Sequence, residues 1–107
     1  MSHKAKKVVI ITERFIRDDV IKIIEECGAT GYTITNAAGK GARGVRRGTD
    51  RATVVEGTTN IKFEIITFDD DMAEMIAERV ADEYFNNYSG ITYLENVYIL
   101  RPEKFSK

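Results

Sequence analysis

Four consecutive β-branched residues, Val8-Val9-Ile10-Ile11, constrain the fold of this 107-residue chain more than any other segment. The run is short, with charge on both sides, and reads as a buried strand. Successive side chains of a strand point to opposite faces, so Val8 and Ile10 look one way and Val9 and Ile11 the other. A strand that is apolar on both faces belongs in a sheet covered on both faces. The rest of the chain has to supply that cover.

From Ile16 the apolar residues fall at Val20, Ile23, Ile24 and Cys27, the spacing of one helical face. Asp18 and Asp19 in the first turn and Gly28 just past the end are the terminal signals of a helix. Tyr32-Thr33-Ile34-Thr35 reads as a second strand, and Asn60-Ile61-Lys62-Phe63-Glu64-Ile65 contains a third with period two. Thr67 or Asp69 caps a second helix whose apolar face is Ala73, Ile76, Ala77, Val80 and Tyr84. Asn86-Asn87-Tyr88-Ser89-Gly90 ends it. Ile91-Thr92-Tyr93-Leu94 and Val97-Tyr98-Ile99-Leu100 form a last strand, expected to bend near Glu95-Asn96. The order β-α-β-β-α-β is the ferredoxin-like, α+β arrangement.

Two helices cover one face of such a sheet. Strand four repeats the problem of strand one, with Tyr93, Val97 and Ile99 alternating against Leu94, Tyr98 and Leu100. An uncovered apolar face marks an interaction surface, so the pattern itself points to self-association, the alternative being a loop folded over the sheet.

At 107 residues and 43% apolar content the chain supports one core, and a single domain spanning 1–107 is expected, ending in a short polar tail over 101–107. Formal charge is −1, which lacks the footprint of a nucleic-acid binder. The charge is unevenly placed. Between Gly39 and Gly57, Lys40, Arg43, Arg46, Arg47 and Arg51 stand against Asp50 and Glu56, a local excess suited to an anion. Cys27 is alone, so no disulfide can form within the chain. The first seven residues lack the apolar stretch of a signal peptide, and a cytoplasmic location is expected. His3, the only histidine, lies near a terminus expected to fray, which argues against histidine-based catalysis.

The stretch Gly28-Ala29-Thr30-Gly31-Tyr32-Thr33-Ile34-Thr35-Asn36-Ala37-Ala38-Gly39-Lys40-Gly41-Ala42-Arg43-Gly44-Val45-Arg46 resembles the second strand and the beginning of the T-loop in the PII superfamily. In particular it resembles the SbtB-type PII-like proteins associated with cyanobacterial bicarbonate uptake. The likeness continues through Val9-Ile10-Ile11-Thr12-Glu13, Asn60-Ile61-Lys62-Phe63-Glu64-Ile65 and Tyr84-Phe85-Asn86-Asn87-Tyr88-Ser89-Gly90-Ile91, nearly the whole chain. The resemblance implies a homotrimer with its sheets packed at the centre and a T-loop over about residues 39–59. It also implies intersubunit clefts for cyclic AMP, AMP, ADP and ATP, with cyclic di-AMP known in the group. These nucleotides act as effectors rather than as tightly bound cofactors. The implied partner is a membrane transporter, by analogy a sodium-dependent bicarbonate transporter, which would bring the protein to the membrane periphery.

A loop of roughly twenty residues in a compact domain is usually functional or disordered. Its glycines allow backbone N–H groups to converge on an anion, and Arg43 and Arg46 carry planar forks suited to phosphate. Carried over residue by residue, the resemblance puts Gly31, Tyr32 and Thr33 at adenine and ribose. It puts Gly39, Lys40 and Gly41 on the way to the phosphates, with Arg43 and Arg46 on them. Gly90 and Ile91 come from the adjoining subunit. On the residues alone, Tyr32 and Ile91 read equally as core and Lys40 as a solvated side chain.

Some family features are missing. Ala42 replaces a frequent serine, Asn87-Tyr88-Ser89-Gly90 lacks the lysine of nitrogen-regulatory relatives, the T-loop has no tyrosine to uridylylate, and the tail lacks a Cys-Gly-Pro-x-x-Cys segment. A conventional nitrogen-regulatory ATP/ADP sensor and a cyclic di-AMP receptor remain as alternatives. An RNA-recognition module shares the element order, but strand one carries no aromatic for base stacking. An enzyme using Glu13, Glu64 or Asp69-Asp70-Asp71 for a metal is the other rival, yet the triple acid coincides with a helix N-terminus and no nucleophile and base pair is visible. No catalytic activity is expected.

Overall fold

A computed structural model of the chain describes residues 2–38 and 60–101. Its elements are β1 (His3–Glu13), a 3-10 turn (Arg14–Ile16), α1 (Arg17–Glu26), β2 (Thr33–Ala37), β3 (Asn60–Thr67), α2 (Asp70–Tyr84) and β4 (Gly90–Ile99). The strands form one antiparallel sheet in the order β2-β3-β1-β4, the ferredoxin-like topology that the element order implied.

The helix termini follow the local chemistry. Gly28 has φ 97°, a left-handed conformation that favours glycine, and ends the turn after α1. Asp69 caps α2 by accepting a hydrogen bond from the Met72 N–H at 3.0 Å. Thr67, the other candidate, instead accepts from the Asp69 N–H at 3.0 Å and shapes the lead-in to the cap. Arg79 joins the helices, donating to Glu26 at 3.0 Å at the end of α1 and to Glu83 at 3.2 Å within α2.

Both helices lie on one face of the sheet. Val8, Ile10, Ile61, Phe63 and Ile65 share a single buried cluster with Ile16, Val20, Ile23 and Ile24 of the first helical segment and Ala73, Ile76, Ala77 and Val80 of α2. Removing a side chain of this size from water stabilises by about 1.5–3 kcal/mol, so the helical periodicity in the sequence is what holds the two layers together. Val9 is equally buried but lies outside the cluster, on the opposite face beside Glu64 and Tyr93. Among the described residues that face carries no helix. It presents Ile11, Ile91, Tyr93, Val97 and Ile99 around an ion-paired centre in which Lys7 meets Glu95 at 3.2 Å and Glu64 at 3.5 Å, and Lys62 meets Glu64 at 3.5 Å. Chiefly through the hydrogen bond to Glu95, against an opposing desolvation, the Lys7 ammonium is held above the usual lysine value.

Three sequence expectations are corrected. Strand one extends well beyond Val8–Ile11, because β4 pairs with it from His3 opposite Ile99 to Thr12 opposite Gly90. His3 is therefore paired rather than frayed. Strand four pairs without interruption through Glu95-Asn96, where only a bend was expected; these residues face Lys7 and Lys6 across the ladder, and Lys6 donates to Asn96 at 2.8 Å. Strand two runs from Thr33 to Ala37, leaving Tyr32 just ahead of it. In each case cross-strand partners, which are distant in sequence, override the local polarity that suggested an end or a bend.

Candidate functional site

The register aligns the candidate residues in a particular way. Asn36, Ile61, Thr12 and Gly90 form one row across the four strands, and Thr33, Glu64, Val9 and Tyr93 another. Gly31 and Tyr32 thus lead into one edge strand, which begins at Thr33, while Gly90 and Ile91 begin the other. Three strand spacings separate these edges, about 14 Å. One chain does not bring the two groups together, and a small ligand touching both has to be shared between copies. Gly39, Lys40, Gly41, Arg43 and Arg46 lie outside the described residues. β2 ends at Ala37 and β3 begins opposite it at Asn60, at the end of the sheet where Glu13 and Gly90 also lie.

At the β2 edge, Tyr32 is 37% exposed, its ring 6.5 Å from that of Phe63, and a Cβ on Gly31 would meet nothing within 4 Å. This is open surface with an aromatic wall. Ile91, at the β4 edge, is 54% exposed, so it is not a core residue of the subunit. Gly90 is the reverse of Gly31. A Cβ there would lie 2.4 Å from two ring carbons of Phe85 and 2.9 Å from Thr12 Oγ1.

The turn before Gly90 is held by residues at the end of β1 that sequence reasoning did not assign to the site. Thr12 Oγ1 donates to the Ser89 carbonyl at 2.8 Å, and Glu13 Oε2 accepts from the Ser89 N–H at 2.7 Å. Phe15 is 79% exposed yet stacks on Tyr88 with ring centroids 5.9 Å apart. Arg14 donates to Asn36 Oδ1 at 2.7 Å and so ties the same segment to β2. The only sequence signal was that Thr12-Glu13 lay within the resemblance; Glu13 itself read as a possible metal ligand. Among the described residues no three His, Cys, Asp or Glu side chains gather in a group suited to a metal, and no helix is long and apolar enough to cross a membrane.

The profile of nitrogen regulatory protein P-II matches residues 5–104. The chain belongs to the P-II family. Among solved P-II relatives, a PII-like signalling protein of Thermus thermophilus is 35% identical, with 98% of each chain covered and a TM-score of 0.76. CPII of Thiomonas intermedia, solved with ADP, AMP and acetate, is 22% identical over 100% of this chain and 99% of its own, with a TM-score of 0.78. GlnK of B. subtilis in complex with ATP is 19% identical over 91% of this chain and 84% of its own, with a TM-score of 0.57. These last two share the fold with this P-II chain.

Proposed function

We propose that this P-II protein is a regulator of the SbtB type rather than an enzyme, binding adenine nucleotides in clefts between the subunits of a homotrimer. The family match over residues 5–104 carries the reading as a P-II regulator, and the residues quoted above for the SbtB-type resemblance support the finer assignment. CPII, solved with ADP and bicarbonate, adds weight to an adenine nucleotide and to a link with inorganic carbon. The geometry of the sheet favours shared clefts, since Gly31 and Tyr32 lead into one edge strand at Thr33 and Gly90 and Ile91 begin the other. The helix-free face with Val9, Ile11, Tyr93 and Ile99 is the surface that three copies would bury together.

In this reading Gly39, Lys40, Gly41, Arg43 and Arg46 receive the phosphates, and the segment over 39–59 reports occupancy to a membrane transporter, with bicarbonate as the proposed cargo. The physical basis is linkage: a nucleotide that favours one loop arrangement changes the affinity of any partner that selects it, and the partner changes nucleotide affinity by the same factor. The protein would act in the cytoplasm and meet the membrane only through its partner.

Calorimetric titration with cyclic AMP, AMP, ADP, ATP and cyclic di-AMP, alongside sedimentation equilibrium, tests the proposal. One nucleotide per chain on a trimer is the expected result; no binding of any of the five, or a monomer that binds, would overturn it. The family profile, that of nitrogen regulators, also favours a second reading as an ATP/ADP sensor. ATP affinity that rises with magnesium and 2-oxoglutarate, with no response to cyclic AMP, would select it.

A further inference from the structure

We infer that Thr12 and Glu13 are positioning residues for the ligand-facing backbone at Ser89, Gly90 and Ile91. The inference rests on the reading above that Gly90 and Ile91 line the cleft. The β1–β4 ladder begins only at Thr12 opposite Gly90, so Ser89 lies just outside it and strand pairing does not hold its peptide groups. Two consecutive side chains supply what the ladder omits. Thr12 Oγ1 donates to the Ser89 carbonyl at 2.8 Å, and the Glu13 carboxylate accepts from the Ser89 N–H at 2.7 Å.

Consecutive strand residues point to opposite faces, so the two side chains reach Ser89 from the two sides of the sheet. Thr12 comes from the helix-covered face, where it is 2% exposed, and Glu13 from the other. A residue gripped at both its N–H and its C=O from opposite sides cannot rotate its peptide planes without breaking one bond. The carboxylate bond, short and charge-assisted, is the stronger of the two. Behind the turn, Phe85 and Thr12 occupy the space that a side chain at Gly90 would need, and Phe15 stacks on Tyr88. The turn therefore has little slack toward β1. A ligand meeting Gly90 and Ile91 finds them already ordered, and binding forfeits little loop entropy.

The test uses the full chain with ADP as probe, measuring affinity by calorimetry and amide hydrogen exchange at Ser89, Gly90 and Ile91. Glu13→Ala is expected to speed exchange at Ser89 and to weaken ADP by roughly tenfold, as the loss of one hydrogen bond to a charged group implies. Exchange at Ile10 and Phe63 should stay at the wild-type rate. Glu13→Gln, which keeps an acceptor oxygen, should restore most of both effects. A merely structural role would not give that split. If Glu13→Ala unfolds, Thr12→Val against Thr12→Ser repeats the comparison at the other bond, with serine restoring what valine loses. Wild-type ADP affinity in Glu13→Ala despite faster exchange at Ser89 would overturn the inference, as would failure of both conservative variants to restore binding. Wild-type protein that binds no adenine nucleotide would overturn the site assignment instead, and unchanged exchange at Ser89 would then refute the clamp by itself.

Discussion

Replacing Gly90 by alanine asks whether the turn before β4 is as tightly seated as its geometry says. Gly90 lies in a strand, and among the described glycines positive φ belongs to Gly28, so alanine meets no backbone penalty at position 90. The obstacle is steric. The added methyl would lie 2.4 Å from Cε1 and Cζ of Phe85 and 2.9 Å from Thr12 Oγ1, where ordinary contact begins near 3.4 Å. The ring would have to retreat by about 1 Å, but it packs against the buried cluster at the end of α2, and such overpacking costs roughly 1–3 kcal/mol. Taking about 2 kcal/mol, and 4–8 °C per kcal/mol for a domain of this size, the midpoint of thermal unfolding should fall by roughly 8–16 °C. The measurement is circular dichroism melting at one fixed chain concentration, because the proposed assembly would make the midpoint concentration-dependent. Repeating it in a Phe85→Leu background isolates the clash: with the ring gone, about 1–2 kcal/mol of the loss should disappear as a coupling energy. A loss below about 0.5 kcal/mol, or an equal loss in both backgrounds, would refute the reasoning.

Gly31→Ala is the contrasting case: nothing stands within 4 Å of the new methyl, so the melting midpoint should hold while nucleotide affinity falls if Gly31 approaches the adenine, and calorimetry beside melting separates the two. Gly28→Ala should destabilise by about 1–2 kcal/mol in urea unfolding, because φ 97° is costly for any residue with a Cβ although the nearest atom, Met72 Cε, leaves room at 3.5 Å. Lys7 titrates above its ordinary value of 10.5 when folded, so its contribution is complete below that pH and is lost as pH rises through the folded value. The stability gap between wild type and Lys7→Met should therefore narrow as pH rises above 10.5, and a constant gap would count against the pairing. Arg46→Ala should weaken ATP more than cyclic AMP in calorimetric titration, and equal losses would count against phosphate reading by this residue.

Much of the fold was legible because it depends on local periodicity. Val20, Ile23 and Ile24 on α1 and Ala73, Ile76, Ala77 and Val80 on α2 were readable as buried faces from spacing alone, and they are buried. The run from Val8 to Ile11 was readable as part of a buried strand, and Val8, Val9 and Ile10 are buried in β1. Element ends were less legible, since His3 and Glu95 look like chain ends or bends until their cross-strand partners Ile99 and Lys7 are known. Of the candidate site, Gly31, Tyr32, Thr33, Gly90 and Ile91 were nameable only through likeness to a family. Their relation to one another depends on register, which no local pattern records.

Sequence alone determined the class of fold and pointed to an apolar sheet face that two helices leave uncovered, because hydrophobic period and terminal signals are properties of neighbouring residues. It also determined that a glycine- and arginine-rich segment lies between two strands. Only the tertiary structure decided that the two ends of the candidate site stand on opposite sheet edges, about 14 Å apart across the strands and further offset along them by register. It also decided that Thr12 and Glu13 grip Ser89, a contact spanning 77 and 76 residues of chain. Contacts of that separation arise from strand pairing, and the pairing is set by the whole sheet closing over one core rather than by any segment of the chain.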